Sequence, residues 1–241
     1  MKAENKRIGL IIPSANIVIE PELYRAVPKL INIHVTRLPI VKSSPSSIKK
    51  MNTFIEKAVQ LLQHAQVHLM IYACVSGSFV EGIQGEKAIR QKIETLSKTP
   101  TLTASMALVN TVKHFNFRKV LLLTPYPWEI HLLAKKFLEE NNIEVLEHKT
   151  LNIIESIAIG KTSLEEVYRL AKSFTNKDAE SLVICCTNLR TIGIINQLED
   201  ELGIPVITSN QSILWQLLKK FNYMDKVKGC GRIFEMLNNG S

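Results

Sequence analysis

Cys74 and Cys186 each close a short apolar run, and each is followed by small polar residues: Val75-Ser76-Gly77-Ser78 after the first, Thr187-Asn188 after the second. A thiol at the end of a strand, ahead of a helix, meets backbone N–H groups and the positive end of the helix dipole. Both favour thiolate, the form that attacks carbon and exchanges protons. Small side chains with N–H donors at the same place suit a carboxylate ligand. A lone cysteine is most often a small buried hydrophobe. A symmetric pair, each member flanked by anion-binding residue types, points instead to catalysis. Cys185 falls on the opposite strand face from Cys186 by the period of two, which assigns it to packing. Cys230, between two glycines, carries no partner signal.

Two more strand ends carry polar residues, Pro13-Ser14-Ala15-Asn16 and Thr124-Pro125-Tyr126. Asn16 stands where a helix N-cap would, and its amide could equally hold a substrate. Tyr126, between two prolines, presents its hydroxyl rigidly, with packing as the alternative. Other signals fail. Gly160-Lys161-Thr162-Ser163 resembles the end of a phosphate-binding loop, but the upstream glycine position holds Glu155 and no strand leads into it. His64 and His68 have helical spacing, yet His68 begins an expected strand, so a zinc site is not read there. No metal or cofactor motif is found.

The elements that must position these groups are legible as alternation. Short runs rich in Ile, Val and Leu, apolar on both faces, read as buried parallel strands over Arg7–Ile12, Ile31–Leu38, His68–Ala73, Lys119–Leu123, Ile143–His148 and Ser181–Cys185, with short pieces at Thr101–Thr103 and Val206–Thr208. Helical patterns cover Ile48–Gln63, Glu86–Leu96, Ser105–Phe115, Trp128–Asn141, Leu164–Phe174 and Ile192–Leu202. The fold class is therefore α/β, with parallel sheets covered by helices. The chain also repeats itself. The strand-ending prolines are offset by 125 − 13 = 112, the strand-ending cysteines by 186 − 74 = 112, and the Pro100 and Pro205 segments follow in the same order. This predicts two pseudo-symmetric αβα halves, residues 1–104 plus 209–241 and residues 105–208, with the site in the cleft between them. Ligands of such sheets bind beyond the carboxyl ends of the strands. Lys42–Ser47, rich in serine, reads as a mobile loop over that cleft.

Composition narrows the partners. The chain has 241 residues, 46% of them hydrophobic, enough for a substantial core. Its net charge of +8 comes from scattered lysines and arginines, and aromatics are only 6%, so a nucleic-acid surface is not expected and a small anionic substrate is. No apolar stretch is long enough for a signal core or a membrane span. Four cysteines without CxxC spacing fit a reducing cytoplasm.

The motifs Pro13-Ser-Ala-Asn16, Ala73-Cys-Val-Ser-Gly-Ser78, Thr124-Pro-Tyr126 and Cys186-Thr-Asn-Leu-Arg-Thr191 together resemble the maleate cis–trans isomerase branch of the aspartate/glutamate racemase superfamily. The similarity continues through Leu198–Gln211 and covers most of the chain. The resemblance implies an enzyme without metal or pyridoxal cofactor, forming a homodimer or higher homo-oligomer. Cys74 would be the nucleophile and Cys186 the acid/base. Asn16 and Tyr126 would hold substrate carboxylates, with Ser14, Val75, Ser76, Gly77, Ser78, Thr187 and Asn188 around them. The chain departs from the pattern at Ile17-Val18 and Val75, where threonines are usual, and near Glu155 and Ser156, where an asparagine is usual. Each departure removes a polar grip on a dicarboxylate. Alternatives are a racemase exchanging a proton between two thiols and a binding module for an anionic metabolite.

Overall fold

The structure is a computed structural model, and it describes residues 5–223 and 229–235. Its first sheet joins β1 (Lys6–Pro13), β2 (Ile31–Leu38), β3 (Leu69–Tyr72) and β4 (Thr101–Thr103) in the order β2-β1-β3-β4. The second joins β5 (Lys119–Thr124), β6 (Glu144–Thr150), β7 (Ser181–Ile184) and β8 (Val206–Thr208) in the order β6-β5-β7-β8. Every pairing is parallel. The two sheets thus share one topology, as the repeat predicts. Strands β3 and β7 are buried throughout, while the edge strands β2 and β6 are largely half-exposed. That is why β3 and β7 are uninterrupted apolar runs and β2 and β6 carry charges.

In each sheet the chain winds one way from the first strand and the other way from the third. The loops leaving β1 and β3 therefore diverge, as do those leaving β5 and β7, and such a switch point is where a crevice opens. Those are the loops bearing Asn16, Cys74, Tyr126 and Cys186.

Helices connect the strands: α1 (Ile19–Ala26), α2 (Pro45–Asn52), α3 (Ile55–Gln63), α4 (Val75–Phe79), α5 (Gly82–Ser97), α6 (Ala104–His114), α7 (Trp128–Glu140), α8 (Ser156–Lys161), α9 (Leu164–Lys172), α10 (Ile195–Leu202) and α11 (Ser209–Phe221). Helix α6 leaves β4 and α11 leaves β8, and these equivalent helices pack on each other. Both begin at a threonine cap: Thr103 accepts from the Met106 N–H, and Thr208 forms a reciprocal capping box with Gln211. Trp215 is fully buried in α11, and each fully buried large apolar side chain here contributes about 1.5–3 kcal/mol.

Two sequence expectations are corrected. The single helix over Ile48–Gln63 is two, because the Thr53 hydroxyl donates to the Lys50 carbonyl (2.7 Å) and ends α2. Lys42–Ser47 is not an open loop. Ser44 caps α2, Pro45 opens it, and the preceding residues pair with the other half. Lys42 bridges Glu155 antiparallel, the Ser43 N–H donates to the Ile154 carbonyl (2.8 Å), and the Ser156 N–H donates to the Val41 carbonyl (2.9 Å). The serines that read as flexible are spent on a cap and on this crossing.

Candidate active site

Cys74 and Cys186 line one cavity of about 40 Å³, together with Pro13, Asn16, Ile40, Ser43, Val75, Ser76, Tyr126, Ser156, Ile159, Thr187 and Asn188. Both halves contribute, and none of these residues is charged. A larger groove of about 820 Å³ lies beyond the 16–18 turn, beside Glu22, Arg25, Arg190 and Cys230. It holds neither of the paired cysteines.

Each thiol is seated by its own loop. Cys74 has extended backbone angles and precedes α4, so its sulfur accepts the Gly77 N–H (3.3 Å), with the Ser76 hydroxyl at 3.8 Å. Cys186 accepts the Asn188 N–H (3.3 Å) and is hydrogen-bonded by Tyr126. The expected thiolates are not what this environment favours. Burial raises the Cys74 thiol, outweighing the Gly77, Ser76 and Tyr72 bonds, and pushes Cys186 up to about 12 against the Tyr126 and Asn188 bonds. The physical reason is that, among the described residues, no cation lines the cavity. A five-residue helix and neutral donors do not offset desolvation of a sulfur anion. Both thiols rest protonated.

Asn16 does both of its possible jobs in part. Its Oδ1 accepts from the N–H groups of Val18 (3.0 Å) and Ile19 (3.1 Å), starting α1, while Nδ2 donates across the cleft to the Thr187 hydroxyl (3.1 Å). Thr187 in turn donates to the carbonyl of Ala73 (2.9 Å). Asn188 is a staple between halves: its Oδ1 accepts the Ile17 N–H (2.9 Å), and Nδ2 donates to the carbonyls of Ser156 (2.8 Å) and Ala15 (3.3 Å). A Cβ on Gly160 would come within 2.7 Å of Asn188 Oδ1, so glycine there lets α8 approach the staple. Tyr126, buried against Phe79, is held from behind. Its N–H donates to Thr124 Oγ1 (3.3 Å), which shares a hydrogen bond with His131 Nδ1 (2.9 Å), and His131 Nε2 meets His148 Nδ1 (2.8 Å).

Three anticipated residues lie outside the cavity lining. Ser14 is exposed and exchanges hydrogen bonds with the Ile40 backbone. Gly77 supplies its N–H to Cys74, and the Ser78 hydroxyl donates within α4 to the Cys74 and Val75 carbonyls (both 2.9 Å). Of the pair near the missing asparagine, Ser156 lines the cavity and shares a hydrogen bond with Ser43 (3.2 Å), whereas Glu155 is half-exposed beside Lys42. Cys185 is buried behind the site and absent from its lining. The sequence reading missed Ser43 and Ile40, which the 41–43 crossing brings in. It also missed Tyr72, which shares the face of Cys74 two residues back along the strand direction.

Comparison with known proteins places the chain. The maleate isomerase of Nocardia farcinica is 26% identical over 238 residues, covering 95% of each protein. The solved structure of the Nocardia farcinica maleate cis–trans isomerase bound to TRIS superposes with a TM-score of 0.92 at 24% identity, over 97% of this chain and 99% of that one. A variant of that isomerase carrying a covalently bound succinylcysteine intermediate superposes at 0.90 and 24% identity, over 95% and 98%. These structures share the fold. The profile of the arylmalonate decarboxylase family matches residues 8–234, and the chain belongs to that family.

Proposed function

We propose that the protein is a cofactor-independent cis–trans isomerase of maleate or a closely related C4 dicarboxylate. The observation that carries the reading is the placement of Cys74 and Cys186, at equivalent strand ends of two repeats, in the lining of one uncharged cavity. Two facing thiols suit a reaction that adds a nucleophile to one carbon and a proton to its neighbour. The curated relative named as a maleate isomerase and the neighbour with a succinylcysteine intermediate support this chemistry.

In the proposed cycle, Cys74 first passes its proton to a carboxylate of the bound dicarboxylate, and the resulting thiolate adds to one alkene carbon and forms a C–S bond. The alkene electron pair moves to the adjacent carbon, where the neighbouring carboxylate delocalises it, and Cys186 delivers its proton there. The product is a succinyl thioether with a freely rotating single bond. After rotation, Cys186 takes the carbon-bound proton back, the C–S bond breaks, the carboxyl returns its proton to Cys74, and the trans alkene leaves. Burial suits Cys186 to this role, since a thiol held up to about 12 retains a proton to deliver. Cys74, whose sulfur is met by Gly77, Ser76 and Tyr72, is the nucleophile. With no cation in the lining, the carboxylates are held by neutral donors: the Asn16 amide, the Tyr126 and Ser156 hydroxyls, and N–H groups at the start of α4. Asn16 and Tyr126 are the principal substrate contacts.

The test is maleate in D2O followed by NMR, with mass spectrometry of a Cys186→Ser variant. Fumarate should form, and one maleate should add to Cys74 in the variant. A Cys74→Ala protein that still turns over would sink the reading. Deuterium entering an amino acid without isomerisation of maleate would favour a two-thiol racemase.

A further inference from the structure

Tyr72 lies in β3 with its hydroxyl fully buried, and it donates to Asn52 Oδ1 (2.5 Å) at the end of α2. The Asn52 amide cannot turn, because its Nδ2 donates to the Gly77 carbonyl (2.9 Å). The phenol oxygen and the Cys74 sulfur crowd the same glycine: a Cβ on Gly77 would lie 2.2 Å from Tyr72 Oη and 2.9 Å from Cys74 Sγ. The phenol therefore faces the sulfur on one side and a fixed amide oxygen on the other. Resting on the reading of Cys74 as nucleophile, we propose that Tyr72, held by Asn52, is a positioning residue whose single proton follows the state of the Cys74 sulfur.

While Cys74 is a thiol, the phenol proton goes to Asn52 and the phenol oxygen accepts the S–H. When the sulfur becomes a thiolate, the hydroxyl turns about its C–O bond and donates to it, with no movement of heavy atoms. Asn52 is half-buried, so water can replace the bond it loses. An amide takes up no proton here, so the pair steadies the sulfur without removing its proton. The titratable groups facing Cys74 are Tyr72 on its own strand and, across the cleft, Cys186 and Tyr126. Burial raises Cys74 and the Tyr72 bond works against it, which agrees with a phenol that serves the thiolate.

The experiment measures the rate of Cys74 alkylation by iodoacetamide against pH, read by peptide mass. Tyr72→Phe keeps the ring and removes the donor. Its midpoint should rise by about one unit, slowing alkylation about tenfold at neutral pH. Asn52→Ala frees the phenol proton for the sulfur, so its midpoint should fall and alkylation quicken. Loosened packing would expose the sulfur in both variants and move them together. Opposite displacements support the proposal, and any other pattern overturns it. The assay needs no substrate, so a protein that fails to isomerise maleate still reports on Tyr72, and failure here leaves the isomerase reading intact.

Discussion

The Thr187 hydroxyl donates to the Ala73 carbonyl at 2.9 Å, tying the residue after one cysteine to the residue before the other. The two residues are 114 positions apart and lie just past strands of different sheets. Because Asn16 Nδ2 also donates to this hydroxyl (3.1 Å), one side chain links three of the four strand-end loops.

Thr187→Val keeps the shape and removes the hydroxyl, leaving the Asn16 amide and the Ala73 carbonyl without it. Buried groups that lose a partner cost about 1–3 kcal/mol, so urea unfolding should show a loss of about 2 kcal/mol. The separation of the two sulfurs is also loosened, so kcat should fall more than KM rises. Unchanged kcat would show that the loops hold their spacing without this bond.

Val75 is the repeat counterpart of Thr187, since 187 − 112 = 75, and it lines the cavity with methyl groups where a hydroxyl would donate. Val75→Thr restores a donor at nearly constant volume. A hydrogen bond to a charged group contributes about 1.5–3 kcal/mol, so KM for maleate should drop about tenfold or more. Steady-state kinetics on both proteins decides it, and an unchanged KM would remove Val75 from the substrate contacts.

Much of this was legible in the sequence because the repeat states the same thing twice. The strand-ending prolines and cysteines at one offset point to two like α/β halves, and the two sheets share one strand order. Cys74, Cys186, Asn16 and Tyr126 were readable as cleft residues because each lies just past the end of a strand. Tyr72 was not, because its counterpart at 72 + 112 = 184 is Ile184, so the repeat hides it among packing residues. Ser43 was missed for another reason. Its place depends on backbone pairing between 41–43 and 154–156, a long-range match between segments that local pattern does not encode. The thiolate expectation failed because a strand-to-helix loop predicts donors and a dipole but not how completely the sulfur is desolvated.

Gly77→Ala tests the crowding around Cys74. The added methyl would meet the Tyr72 oxygen at 2.2 Å and the sulfur at 2.9 Å, both on rigid buried groups. Overpacking of this kind costs about 1–3 kcal/mol. The variant should unfold at lower urea and alkylate abnormally at Cys74, by the same peptide-mass readout. Wild-type stability and wild-type alkylation together would show that α4 shifts to make room.

Stability should have two pH edges set by buried groups. Burial raises Cys186 from an ordinary 9.0 to about 12, and raises Cys74 and Cys185 as well. Above pH 9 the unfolded chain releases protons that the folded protein keeps. The contribution of these thiols is therefore complete below about 9 and is lost as pH rises toward 12. His131 is the opposite case: burial first, then His148 and Lys135, hold it at about 4 against an ordinary 6.5. There the unfolded chain takes up a proton that the folded protein refuses, so stability is complete above 6.5 and is lost on the way down to about 4. Urea midpoints measured across pH should form a plateau between these edges. Cys186→Ala should flatten the alkaline limb alone, and His131→Phe the acid limb alone. If neither limb changes slope in its variant, the edges belong to other groups, and the desolvation argued for the site is not what limits the fold.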